Sequence, residues 1–191
     1  MGKIIISENV TLDGVVQDPA GVEGFKHGGW VGRIGDRGRD EAAKVALDEA
    51  LGAGAMLLGR RSYEFLAARW PSRTGALADR LNSLPKYVVS SSLEDPDWNN
   101  TTVLNGDIVN EISKLKQELR GDIVVAASIQ LVHTLIEHDL VDELRLMIYP
   151  VVLGVGDRLF SETSGKRQLR LVDARRVDDL AYLTYQPARD A

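Results

Sequence analysis

Apolar residues recur along this chain with two periods, and the switching between them outlines a fold. Lys3 to Leu12 is rich in β-branched residues and predicts a strand. From Asp13 to about Gly38 no period holds, and eight of the eighteen glycines fall there together with Phe25, His27 and Trp30. So long a connection predicts a binding loop or lid, or else a plain flexible insertion. Arg39 to Leu51 reads as a helix with Ala43, Ala46, Leu47, Ala50 and Leu51 on one face, ended by Gly52. A short buried strand, Ala55 to Leu58, leads into a helix from about Arg61 to Arg69. Another helix, Ala76 to Leu84, stops at Pro85. Strands follow at Lys86 to Ser90 and Thr101 to Leu104. Asp107 is a good N-cap for a helix to Arg120 that carries Ile108, Ile112, Leu115 and Leu119 at helical spacing. Asp122 to Ala126 is again a strand, and Ser128 opens a helix with Leu131, Val132, Leu135 and Ile136 inward.

The last fifty residues change character. Leu144, Leu146 and Ile148 alternate with Arg145, Met147 and Tyr149 between Glu143 and Val152. Leu169 to Val177 and Leu180 to Tyr185 look like strands paired around Asp178-Asp179. Strands alternating with helices, then a strand-only tail, predict one α/β domain over residues 1–191. Its sheet is mostly parallel with antiparallel strands at one edge and helices on both faces.

Composition narrows the chemistry. A chain of 191 residues that is 44% apolar can bury a single substantial core. The net charge of −5 argues against a nucleic-acid or acidic-membrane binder, which needs a basic surface. No apolar run approaches a membrane span, and Met1 to Ile6 lacks a signal peptide's apolar core and cleavage site, so a cytoplasmic location is expected. With no cysteine, thiolate chemistry and zinc–thiolate sites are excluded. His133 and Glu137 stand one helical turn apart beside His138, but a metal site needs a third placed ligand, and none is expected. Neither a Walker loop nor a Gly-x-Ser-x-Gly elbow occurs.

The most informative segment is Ala55 to Glu64. Its apolar run stops at Gly59, and Arg60, Arg61 and Ser62 follow before the helix. A strand passing through glycine into a helix N-terminus presents unpaired N–H groups that attract phosphate, and the arginines add planar, fixed positive charge. The plain alternative is a strand-to-helix turn with two solvated arginines.

Several segments in order resemble one family. They are Leu12-Asp13-Gly14, Leu58 to Glu64, Trp70-Pro71, Lys86 to Ser90, Leu115-Lys116, Asp122 to Val125, Leu140 to Leu144 and Pro150 to Gly156. Together they resemble the single-domain relatives of the reductase (C-terminal) domain of the bifunctional riboflavin-biosynthesis deaminase-reductase, which shares the dihydrofolate-reductase-like three-layer fold. The zinc deaminase half of that enzyme has no counterpart, since the chain lacks both the cysteines and a His-x-Glu motif.

The resemblance implies an NADPH-dependent reductase of a small heterocyclic or carbonyl substrate, pteridine- or pyrimidine-like, acting as a homodimer. Gly59 to Ser62 would lie at the phosphate-bearing end of the cofactor. Ser90, Ser91 and Ser92 would meet the 2′-phosphate, unless they only cap a strand. Ala126, Ala127, Ser128, Gln130 and Leu131 fall where the family carries one or two glycines before the pyrophosphate-binding helix. Asp13 would border nicotinamide and substrate as the catalytic residue, against the alternative of an Asp-Gly turn. Leu12, Trp30, Tyr63 and Trp70 are the candidate substrate contacts, with a core role open for both tryptophans. No proton donor aligns: Asp40, Glu41 and Asp48 read better as a solvated helix face. Two rival readings are a non-catalytic ligand-binding or dimerisation protein on this scaffold, and a binder of flavin or folate.

Overall fold

Ile4, Ile5 and Ile6 are all fully buried, as expected of a strand covered on both faces. They open β1 (Ile4–Thr11), near the middle of an eight-stranded sheet in a computed structural model that describes residues 1–160 and 166–188. The elements that follow are α1 (Asp36–Gly52), β2 (Ala53–Gly59), α2 (Arg60–Ala67), α3 (Ala76–Ser83), β3 (Lys86–Val89) and β4 (Thr101–Leu104). Then come α4 (Ile108–Glu118), β5 (Asp122–Ala126), α5 (Ile129–Glu137), β6 (Glu143–Tyr149), β7 (Leu169–Val177) and β8 (Leu180–Pro187). The spatial order is β4-β3-β2-β5-β1-β6-β8-β7. Every pair from β4 to β6 is parallel, whereas β8 runs antiparallel to both β6 and β7. The mixed sheet expected from the sequence is therefore present.

The two faces are built differently. Ile4, Ile6, Ile123, Val125, Leu144 and Leu146 point to one side, where α4 and α5 cover them with Ile112, Leu115, Val132 and Leu135. On the other side two smaller clusters sit apart. Trp30, Val45, Met147, Tyr149 and Tyr182 form one, and Met56, Leu58, Tyr63, Val88 and Trp98 the other. The inward face of α1 is also not the one its alanines suggest: Gly38, Val45 and Ala50 are buried, while Leu51 is exposed. The helix is small-residue-rich on several sides, so its sequence carries little directional signal, and packing against the sheet decides.

The long connection before α1 is organised rather than structureless. Asp18 is buried, and its carboxylate accepts the N–H groups of Val22, Glu23 and Phe25 at 2.8–3.1 Å. A Cβ on Gly28 would meet Asp18 Oδ2 at 2.5 Å, so only glycine permits this closure. Trp30 begins a short 3-10 turn (Trp30–Arg33), is fully buried, and donates from Nε1 to the Gln17 carbonyl at 3.0 Å. The segment resembles an Ω-loop packed on its own polar hub.

Candidate functional site

Crossovers set where a ligand can enter. From β1 the chain passes over β5 to β2 by way of α1; from β5 it passes over β1 to β6 by way of α5. The crossovers run in opposite directions with the same hand, so α1 and α5 lie on opposite faces, and a crevice opens at the carboxyl ends of β1 and β5. The β1–β5 pairing ends at Ser7 and Ala126, while β1 continues beside β6 to Thr11.

Beside that crevice, two strand-to-helix turns interlock. Gly59 N–H donates to Ser128 Oγ at 3.0 Å, and Ser128 N–H donates to Ser62 Oγ at 2.8 Å. The bonds join the end of β2 to the end of β5, so α2 and α5 start side by side. Neither helix has a side-chain cap on its first turn. Two uncapped N-termini concentrate N–H groups and positive dipole ends in one place, an arrangement suited to an anion.

The glycine-like conformation is kept here without glycine. Ala127 has φ 54° and Ser128 φ 57°, both left-handed, whereas Ala126 does not. The special backbone positions are thus Ala127 and Ser128, one residue beyond the alanine pair singled out from the sequence. Holding L-residues there costs roughly 1–2 kcal/mol each. The bonds from Ser128 to Gly59 and Ser62 stabilise the turn against that strain. Gln130 is exposed on the first turn of α5, while Leu131 packs into the core beneath it.

The cationic groups differ in freedom. Arg60 is held by Glu64 at 2.7 Å and by Ser92 Oγ, also at 2.7 Å, and so ties α2 to the loop after β3. Arg61 is largely exposed, its one ion-pair partner among the described residues being Glu23 of the long loop at 3.9 Å. Ser90 is buried and its Oγ accepts from Ser92 and Leu93 N–H, so it caps the strand end; Ser91 and Ser92 are exposed.

Asp13 is held as an anion. Its carboxylate accepts Thr11 Oγ1 at 2.7 Å and the N–H groups of Leu153 and Gly154 at 3.2 and 2.7 Å. The Thr11 hydroxyl leads in lowering its pKa, with the two amides adding to the effect, to about 2. A group so committed clamps the β1 loop to the segment after β6. It does not hold a proton to give.

A cavity of about 300 Å³ lies between the sheet and α1, α2 and α3, separating the two smaller clusters. Met56, Leu66, Trp70 and Leu77 give it apolar walls, and Ser7, Asn9 and Glu49 bring polar groups. Glu49 accepts Ser7 Oγ at 2.7 Å and Tyr182 hydroxyl at 2.6 Å, with Arg145 at 3.8 Å. Burial, with the Glu49 bond added, pushes the Tyr182 hydroxyl well above the ordinary phenol range. Of the four candidate substrate contacts, only Trp70 lines this cavity. Trp30 is core, Tyr63 is buried with its hydroxyl accepting Trp98 N–H at 3.0 Å, and Leu12 is 66% exposed beyond the strand end. Among the described residues, no cluster of His, Asp and Glu could hold a metal ion.

Sequence reasoning missed Asn9 and Glu49. A signal for the first was present. A strand buried on both faces should read as an unbroken apolar run, and Ser7-Glu8-Asn9 interrupts the run that Ile4 to Ile6 begin.

Comparison with known proteins places this geometry. The family model of the RibD C-terminal domain matches residues 2–182. Two Bacillus subtilis proteins are similar. YyaP, which is uncharacterised, is 33% identical over 63% of this chain and 66% of its own length; YwjB, also uncharacterised, is 28% identical over 68% and 71%. Among solved structures, a Shewanella sp. PV-4 protein provisionally assigned to riboflavin biosynthesis superposes with a TM-score of 0.76 at 19% identity, covering 99% of this chain and all of that one. RibD of Acinetobacter baumannii gives 0.68 at 14% identity, covering 99% of this chain and 59% of its own. An Enterococcus faecalis dihydrofolate reductase, solved with NADP(H), gives 0.61 at 16%, covering 98% of each. The fold is accordingly dihydrofolate-reductase-like, and the chain belongs to the RibD C-terminal domain family of reductase-type proteins.

Proposed function

We propose that this protein is an NADPH-dependent reductase of a small planar heterocycle or carbonyl compound. The observation carrying the proposal is the pair of uncapped helix N-termini locked together by Gly59, Ser62 and Ser128 beside Arg60 and Ser92. These groups suit a dinucleotide: α2 and α5 offer N–H groups for the pyrophosphate, and Arg60, Arg61, Ser91 and Ser92 offer charge and hydroxyls for a 2′-phosphate. The left-handed backbone at Ala127 and Ser128 keeps the turn that glycine would otherwise supply. When bound, NADPH supplies the hydride, and the chain's part is to hold the substrate in the cavity beneath α1 and exclude water. The E. faecalis dihydrofolate reductase, with its NADP(H), supports the cofactor assignment by fold likeness. A homodimer, no nucleic-acid or membrane partner and a cytoplasmic location belong to the same proposal; the acidic balance favours a small-molecule partner.

A second reading, ligand binding without turnover, is favoured by one observation: Asp13, the catalytic candidate by resemblance, is held ionised. Titration with NADPH and NADH, read by nucleotide fluorescence, tests the first reading. A charge-assisted contact to the 2′-phosphate is worth about 1.5–3 kcal/mol, so NADPH should bind at least about tenfold more tightly. Joint Arg60→Ala and Arg61→Ala substitution should erase most of the difference. Equal affinity, or no binding of either, would remove the proposal.

A further inference from the structure

The two edges of the sheet are unlike. One ends in β4, four residues long, and the other in β7, nine residues long. Every residue from Arg170 to Arg176 is exposed, Leu171 and Val172 at 50% and 49% among them. The strand carries neither proline nor lysine. Its register against β8 shifts between Leu171 and Asp173 and is regular from Asp173 to Val177. A long open edge presents unpaired N–H and C=O groups to any second strand.

We propose that β7 is the homodimer interface, pairing antiparallel with β7 of a second copy about a two-fold axis at Ala174, so that two sheets join into one. The inference rests on the homodimer of the functional reading and adds its surface and register.

Charge selects the register. Residues directly opposite in an antiparallel pair share a face, so a two-fold axis must pass through one residue and set it against its own copy. An axis at Asp173, Arg175 or Arg176 would oppose like charges at its centre. An axis at Leu171 or Val172 would bring no opposite charges together. At Ala174 it sets Asp173 of each copy against Arg175 of the other, giving two attractive pairs. The same register lays the Arg176 stem along Val172 of the other copy and covers apolar surface there.

Both charged groups are available. Asp173 stands opposite Thr184 and Arg175 opposite Tyr182, so the two share the α1 face. The Arg175 guanidinium lies 4.6 Å from the Tyr182 ring centroid. The ion pairs of this hairpin are Arg176 with Asp179 at 3.3 Å and Arg37 with Asp178 at 3.7 Å. Among the described residues, neither Asp173 nor Arg175 has an ion-pair partner. Tyr182 also lines the cavity and bonds Glu49, so the interface abuts the proposed substrate site.

The chain has no cysteine, so one can be placed at the axis. Under mild oxidation Ala174→Cys should link to its own copy, because directly opposite Cβ atoms suit a disulfide. Arg170→Cys, whose copies would lie about 26 Å apart along the strands, should link far more slowly. Sedimentation equilibrium reads the charges. Asp173→Arg and Arg175→Asp each replace two attractive contacts by two repulsive ones, and each should weaken the dimer at least about tenfold. The double variant restores opposite charges and should return the dissociation constant to within about threefold of the native value. A dimer indifferent to all three charge variants, with no faster link at Ala174→Cys, would overturn this surface and leave the homodimer standing. A native protein that sediments as a monomer would overturn both, with NADPH binding still judged separately by titration.

Discussion

The two faces of this sheet share the same strands and do different work. The α4–α5 face is closed by branched aliphatic residues that interdigitate in one continuous cluster, with Ile4, Ile6, Ile112, Ile123, Val132 and Leu135 fully buried. The α1–α3 face holds two separate clusters, and the gap between them is the cavity. A strand such as β1 feeds both. Ile6 and Val10 pack beneath α5, while Ser7 reaches across to Glu49 of α1. One face thus supplies cohesion, and the other gives up packing to leave room for a ligand.

Truncation should separate the faces most sharply. Leu135→Ala on the closed face removes a fully buried side chain and should cost about 2–5 kcal/mol in urea unfolding. Leu77→Ala, on the cavity wall, enlarges space that already exists and should cost under about 1.5 kcal/mol. Similar losses at both sites would break the comparison.

The next effect concerns Lys86, fully buried at the start of β3. Its Nζ donates to the carbonyls of Asn82, Leu84 and Asn99 at 2.8–3.1 Å and lies 4.3 Å from the Trp98 ring centroid. Burial pushes its pKa down to about 8, from 10.5 in the unfolded chain. Between those values the unfolded state binds more protons, so stability should rise with pH through that window, by about 1–3 kcal/mol. Lys86→Met should flatten the rise while lowering stability near neutrality, because three carbonyls lose their donor. Denaturation curves from pH 7 to 10.5 check both.

Glu8 predicts the opposite slope. Its folded pKa is raised, so its contribution is fully present below the unfolded value of 4.5 and is lost as pH rises through the folded value. Glu8→Gln should therefore be more stable than the native protein at neutral pH, with the gap closing toward pH 4. A constant gap would mean that Glu8 titrates alike in the folded and unfolded chains.

The smallest effect belongs to the turn at β5. Ala127→Gly relieves a left-handed alanine and should leave stability within about 1 kcal/mol of the native protein, whereas Ala127→Val should cost more. Equal stability of all three would mean the strain is not stored there.

What could be read from the sequence was local. Asp107 caps Asn110 N–H as expected, and Ile112 and Leu115 of α4 turn inward, because capping and helical spacing act within a few residues. Asp122 to Ala126 and the β7–β8 pair were legible for the same reason. The gaps are long-range. Trp30 reads equally as a ligand floor or as core, and only contact with Tyr149, more than a hundred residues away, decides it. Glu49 looks like another polar position of α1 until Ser7 and Tyr182 arrive from two strands. The long loop's order depends on one carboxylate, Asp18, which nothing in its neighbourhood distinguishes from other loop acids.

The central claim is that the dinucleotide lies across the joined ends of β2 and β5, with the substrate under α1. Backbone amide chemical shifts, mapped with and without saturating NADPH, test it most directly. The account predicts the largest changes at Gly59 to Ser62, Ser91 to Ser92 and Ala127 to Leu131, with lesser ones at Ser7 and Asn9 and almost none in the body of α4. Changes centred on β7, or spread evenly over both faces, would contradict it.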